Sequence, residues 1–229
     1  MKNLLPTLLV LTFAVPGTAR AERVALFDGR SFAGWEGNID DVWRIEDGQI
    51  VAGQPDERQP RNDFLCTVEA FGDFDLRLKY KRGENNGGVQ FRSRRVPDHH
   101  EVSGYQADLA PGIDGFLYDE SRRNRFLALF DPARGPITAA PEGTGEAIRK
   151  AVGRKDEVAD KLKLDNWNHY RIRAQGPRIR LWVNGVLTVD YTETDPDIPT
   201  TGIIGLQIHG GATQIRYKDI TIERLDSDG

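Results

Sequence analysis

Asp75-Leu76-Arg77-Leu78-Lys79-Tyr80-Lys81 alternates between charged and apolar residues without a break. A β-strand places successive side chains on opposite faces, so it buries Leu76, Leu78 and Tyr80 together and leaves their neighbours in water. A helix would scatter the same three around its circumference. The period of two recurs on both sides. Gly88 to Ser93 alternates after the turn signal Asn85-Asn86-Gly87, and Tyr170 to Arg173 and Arg178 to Val183 flank Gln175-Gly176-Pro177. Asn184-Gly185, a strong two-residue hairpin signal, leads into Val186 to Val189. Val42 to Ile45 and Gln49 to Val51 form an early hairpin about Glu46-Asp47-Gly48, and Ile203 to Ile208 and Ile215 to Leu225 complete the series. Turn signals every ~8–12 residues predict an all-β sandwich of antiparallel strands, in the manner of a jelly roll. One stretch departs from this pattern. Ala147, Ile148, Ala151 and Val152 fall at helical spacing and predict a short helical insertion near 146–152.

The first 21 residues differ in kind. A basic start, Met1-Lys2-Asn3, precedes the uncharged apolar run Leu4 to Val15 and then Ala19-Arg20-Ala21, the layout of a secretory signal peptide. The run is shorter than the ~20 residues a membrane span needs. The expectation is a signal peptide over 1–21 and one β-sandwich domain over 22–229, secreted or periplasmic and without a membrane anchor after cleavage. The net charge of −4 and the lack of any long Lys/Arg run argue against a nucleic-acid partner. The single cysteine, Cys66, excludes an intrachain disulfide framework and reads as a small core residue.

Side chains that alternate with core residues are where ligand chemistry would lie. On this logic Gln90 pairs with Arg92, Gln106 with Asp108, Gln207 with His209, and Arg180 with Trp182, each pair on one strand face. Amides, a guanidinium, a carboxylate, an imidazole and an indole suit a carbohydrate, whose hydroxyl pairs take bidentate hydrogen bonds. His209 stands out, because an imidazole with a pKa near ~6.5 moves protons at neutral pH and the Gly210-Gly211 pair beside it allows close approach. Gly115 to Asn124 is dense in functional groups and reads as a loop at a cleft rim. Tyr118 and either Asp119 or Glu120 would serve proton transfer there, and Arg122 or Arg123 would meet a ligand oxyanion. Asp98-His99-His100-Glu101 is the one run that looks like a metal-ligand cluster, but adjacent strand side chains diverge and no cofactor is indicated. The Glu-x-Asp-x-x-Glu run of laminarinase-type glucanases is missing, as are a nucleophile elbow and a phosphate-binding glycine loop.

The ordered motifs resemble the 3-keto-disaccharide hydrolase domain family. Leu26-Phe27-Asp28-Gly29 with Phe32-Ala33-Gly34-Trp35 looks like its opening, and Gly104-Tyr105-Gln106 with Asp108, Gly115 to Glu120, Trp182-Val183-Asn184-Gly185 and Gly202 to His209 follow in order. The resemblance implies a concanavalin-like jelly roll and cleavage of glycosides already oxidised at sugar carbon 3. It implies His209 or Asp108 as base, Arg92 or Gln106 at the oxyanion, and Tyr118 or Glu120 at the leaving group. Gln207, Asp119, Arg122, Arg123 and Trp182 would be substrate contacts. Many relatives place an acid just before the glutamine, where this chain has Tyr105. The competing expectation is a carbohydrate-binding module of the same fold that cleaves nothing.

Overall fold

The computed structural model describes residues 22–131, 135–137 and 161–226. The signal-like segment 1–21 and the helical reading at 146–152 lie outside the described residues. Sixteen strands are described: β1 Arg23–Ala25, β2 Trp35–Glu36, β3 Trp43–Glu46, β4 Gln49–Ala52, β5 Asp63–Phe71, β6 Phe74–Lys81, β7 Gly87–Arg95, β8 Val102–Leu109, β9 Leu117–Glu120, β10 Arg125–Asp131, β11 Gly135–Ile137, β12 Asn168–Gln175, β13 Arg178–Val183, β14 Val186–Thr192, β15 Gly202–Ile208 and β16 Ile215–Arg224. They form two antiparallel sheets. The first runs β14-β13-β12-β6-β16-β4-β3, with β1 also on β16; the second runs β11-β10-β9-β8-β7-β15-β5-β2. The all-β jelly-roll architecture read from the sequence is what the chain adopts.

The alternation places the core as expected. Leu76, Leu78 and Tyr80 of β6, with Tyr170, Ile172, Ile179 and Leu181, face Val89, Phe91, Tyr105, Ala107 and Leu206 of the second sheet in one buried cluster. Phe74 meets Phe91 edge to face across it, with centroids 6.2 Å apart. The two hairpin signals are honoured in the backbone. Asp47 and Gly48 have φ of 49° and 73°, and Asn184 and Gly185 have 48° and 86°, the doubly left-handed conformation that matches strand twist. Trp35, Trp43 and Cys66 are buried, and burial pushes the Cys66 thiol up to about 12.

One strand departs from simple alternation. β7 slips register between Phe91 and Arg94, and Arg92 sits at φ 47°. The bulge breaks the shared face predicted for Gln90 and Arg92. Gly202 and Gly104 make room for it, since a Cβ on either would come within 2.7 Å of the Ser93 backbone. Among the described residues no helix is long and apolar enough to cross a membrane.

Candidate functional site

The outward face of the second sheet carries a row of polar side chains. Register aligns Gly205 with Gln90, Gln207 with Gly88, Gln90 with Gln106, Gly88 with Asp108, Gln106 with Tyr118 and Gly104 with Glu120. Four adjacent strands therefore present amides and carboxyls side by side. Two bare positions make the row fit: a Cβ on Gly88 would meet the Gln106 side chain at 2.7 Å, and one on Gly205 would meet Gln90 at 3.3 Å. The row is bonded along its length. Ser93 Oγ donates to Gln90 Oε1 (2.9 Å), Gln90 Nε2 to Gln106 Oε1 (2.8 Å), and Gln106 Nε2 to Asp108 Oδ1 (2.6 Å).

Above this floor lies a cleft of about 250 Å³, lined by Gln106, Asp108, Tyr118, Glu120, Asn62, Asn86, Ile113, Phe126 and His209. His209 comes in from the loop after β15. Its backbone N–H donates to Asn86 O (3.1 Å), and Asn85 holds the same loop through Thr213 N (2.8 Å) and Gln214 O (2.8 Å). The His209 Nδ1 stands 2.7 Å from Gly210 O. A carbonyl only accepts, so this contact places the proton on Nδ1 and leaves the Nε2 lone pair free.

The acids of the cleft are poised to hold protons. Burial raises Glu120 to about 7, and the neighbouring carboxylate of Glu101 adds to the rise. Burial likewise raises Asp108 well above the carboxylate range, with Glu120 and Asp114 adding to it against the Gln106 hydrogen bond. Tyr118 is pushed up to about 12 by burial and by Glu120 and Asp108, so it stays a hydroxyl donor. Gln207 is wholly buried. Its amide is near enough to favour the Glu120 carboxylate, yet neither Nε2 nor Oε1 has a hydrogen-bond partner among the described residues. A fully buried, unpartnered amide beside two protonatable carboxyls is unusual, because such a group ordinarily costs ~1–3 kcal/mol unless something bonds to it.

Asp108, Gln106, Gln207, Tyr118, Glu120 and His209 thus converge as a group. Five other expected contacts lie elsewhere. The bulge turns Arg92 to the end of the sandwich, where it donates to Gly72 O (3.1 Å), Gly176 O (2.7 Å) and Asp73 Oδ1 (2.7 Å). Leu117–Glu120 is strand β9 rather than part of a loop, so Asp119 faces away from Tyr118 and Glu120 and is wholly buried. It binds Arg122 (2.8 Å) and Arg123, and Arg123 also pairs with Glu193 (2.7 Å). Asp119, Arg122 and Arg123 therefore close a structural ion network. Trp182 lies on the outward side of the opposite sheet, under the guanidiniums of Arg171 (4.5 Å) and Arg180 (5.6 Å).

His99 and His100 have ring centroids 4.2 Å apart. Among the described residues no group of three or more His, Cys, Asp or Glu side chains could hold a metal ion. Asn62 and Asn86 also line the cleft, with Glu101 behind Asn62, and nothing in the sequence points to them as ligand contacts. Glu101 accepts from Asn62 Nδ2 (3.0 Å), whose Oδ1 in turn accepts from Gly210 N (3.0 Å). Asn86 was read as turn chemistry and Glu101 as part of a histidine-rich run. Asn62 carried no local signal at all.

Comparisons with known proteins agree with this architecture. Two solved structures described as candidate glycosyl hydrolases from Parabacteroides distasonis superpose with a TM-score of 0.58 each, at 19% and 20% identity. They cover 89% of this chain, and 94% and 100% of their own. A carbohydrate binding module from Bacillus subtilis matches with a TM-score of 0.53 at 14% identity, covering 83% of this chain and 95% of its own. A Bacillus subtilis protein with a galectin-like fold matches with a TM-score of 0.59 at 12% identity, covering 90% and 96%. These likenesses establish the shared fold. No match was found among proteins of curated function. The family profile of the 3-keto-alpha-glucoside-1,2-lyase-like domain matches residues 22–223, nearly the whole described chain, and the protein belongs to that family.

Proposed function

We propose that the protein cleaves 3-keto-glycosides by removing the C2 proton and eliminating the C1 substituent. The observation that carries this reading is the convergence of His209, Glu120, Asp108 and Tyr118 on one cleft. The substrate ketone acidifies the neighbouring C2–H, so no pair of glycosidase carboxylates is needed. His209 Nε2 takes the C2 proton, and the C–H electron pair moves into an enolate whose charge rests on the C3 oxygen. Asp108, kept protonated by burial, donates to that oxygen. The enolate then collapses: C3=O re-forms, a C1=C2 double bond appears and the C1–O bond breaks. Glu120, half protonated near pH 7, gives its proton to the departing oxygen, with Tyr118 as the neighbouring donor. Addition of water at C1 of the enone completes a net hydrolysis; release without it is a lyase outcome. The leader-like residues 1–21 would place this activity outside the cytoplasm.

The test uses 3-keto-trehalose and 3-keto-lactose, unlabelled and deuterated at C2. Wild type is expected to release free glucose, with a primary isotope effect at C2 and deuterium washed out of the product. His209→Ala is expected to abolish release. Cleavage that retains the C2 deuterium would overturn the elimination route. Binding of sugar without cleavage by wild type would make the domain a carbohydrate-binding module.

A further inference from the structure

We infer that the outward face of the first sheet, across β12 and β13, is a second binding site that takes an acidic polysaccharide through Arg173 and Arg180. These two arginines are directly opposite partners on adjacent strands. Like charges in that relation repel, and a fold normally separates them or places a carboxylate between them. Here the carboxylates are spent elsewhere. Asp75, the partner of Arg173 on the next strand, binds Arg23, Arg77 and Arg171 instead. Asp190, opposite Arg180, is held by both Nε and Nη2 of Arg178 (2.7 and 2.6 Å). Among the described residues Arg173 bonds only Gln175 (2.7 Å), and its buried Nε has no partner. Arg180 makes no hydrogen bond or ion pair among the described residues. Burial, and then the nearby charges of Arg178, Arg173 and Arg171, disfavour its charge against the attraction of Asp190. Trp182 stacks beneath Arg171 and Arg180 and fixes the spread of the two guanidiniums.

The patch is therefore a set of closely spaced guanidiniums, two of them directly opposed, on a chain whose overall charge is −4. An anion relieves it, and spaced carboxylates or sulfates match the fork geometry bidentately. An anionic membrane is the poorer fit. Among the described residues the exposed large apolar side chains are Val24, Ile39, Val68 and Leu164, and none lies on β12 or β13 to insert. The choice of a polysaccharide among polyanions rests on the glycoside reading of the opposite sheet. The patch itself does not, and binding is measured without any cleavage.

The experiment is affinity electrophoresis of the purified protein in gels containing polygalacturonate, with dextran as the neutral control. Liposomes of phosphatidylcholine and phosphatidylglycerol, and single-stranded DNA, serve as competitors. Wild type is expected to be retarded by polygalacturonate and not by dextran, and the retardation is expected to vanish in high salt. An Arg173→Gln/Arg180→Gln double variant is expected to lose affinity by about tenfold or more while its melting temperature rises, because the repulsion is gone. The corresponding double lysine variant keeps the charge but not the forks; it is expected to bind more weakly than wild type and more tightly than the glutamine variant, and it checks that folding is intact. Retardation unchanged in the glutamine variant, or absent in wild type, would overturn the inference. Equal or stronger capture by the liposomes or the DNA would also overturn it, since the patch would then serve another polyanion.

Discussion

At the scale of the residue, Glu120 concentrates the tension in the cleft. Its carboxyl is buried beside Glu101, so the folded protein prefers it protonated and raises it from 4.5 to about 7. A carboxyl raised in the folded state favours folding most below its unfolded value, and that contribution is lost as pH rises through the folded one. Glu120→Gln has no charge to penalise. The variant should match wild type near pH 4.5 and exceed it in stability above pH 7, by on the order of 2 kcal/mol, read from urea denaturation at both pH values. The same variant should lose most of kcat/KM on a 3-keto-disaccharide. In wild type, kcat/KM should fall above pH 7 as the proton donor empties. Gain in stability with loss of turnover from one atom change is the signature of a group strained for use. If the variant is less stable at pH 8 than at pH 5 relative to wild type, the carboxyl is not held as described.

At the scale of the element, the long alternating strands were legible and the short or irregular ones were not. β6, β12, β13 and β16 declare themselves by period, and both two-residue hairpins by Asp-Gly and Asn-Gly. Four-residue β9, set in Tyr-Asp-Glu-Ser-Arg-Arg, reads as a charged loop, because one of its two inward residues is the ion-paired Asp119 and only Leu117 is a hydrophobe. The β7 bulge was invisible for a different reason. It depends on Gly104 and Gly202, which lie on neighbouring strands far away in sequence. Those two misreadings account for Arg92, Asp119, Arg122 and Arg123. The segment that follows β8 is fixed by a device that alternation also hides. Arg82 clasps Asp114 with Nε (2.8 Å) and Nη2 (2.6 Å), both side chains almost fully buried, and Gly115 N donates to Asp108 O (3.0 Å). Arg82→Met strands a buried carboxylate and should cost about 3–5 kcal/mol by denaturant unfolding, far more than Arg178→Met at the exposed pair with Asp190. Equal losses at the two sites would contradict the burial assigned to Asp114.

At the scale of the whole molecule, sequence alternation says which residues face out but not which sheet they face out from. That is why Trp182 was grouped with His209, although a full sandwich separates them. The two sheets are nevertheless coupled through their shared interior. Tyr217 of β16 reaches across and donates to Gln207 O (2.7 Å), with Gly88 O at 3.3 Å, and Tyr170 of β12 stands 3.3 Å from Asp108 O. Tyr217→Phe should lower stability by about 1–2 kcal/mol, which for a chain of this size shifts the melting temperature by roughly 2–4 °C per kcal/mol. Thermal inactivation and thermal unfolding should move together in that variant; an inactivation midpoint well below the unfolding midpoint would show the floor of the cleft to be independent of the other layer. The phenol rooted in the far sheet thus makes the backbone under the sugar a property of the entire sandwich. Divergence within such a fold has little freedom to redraw that backbone without recutting both layers. New preferences for one glycoside over another should therefore arise in the loops at the cleft rim, such as the one that carries Asn86, rather than in the strands of its floor.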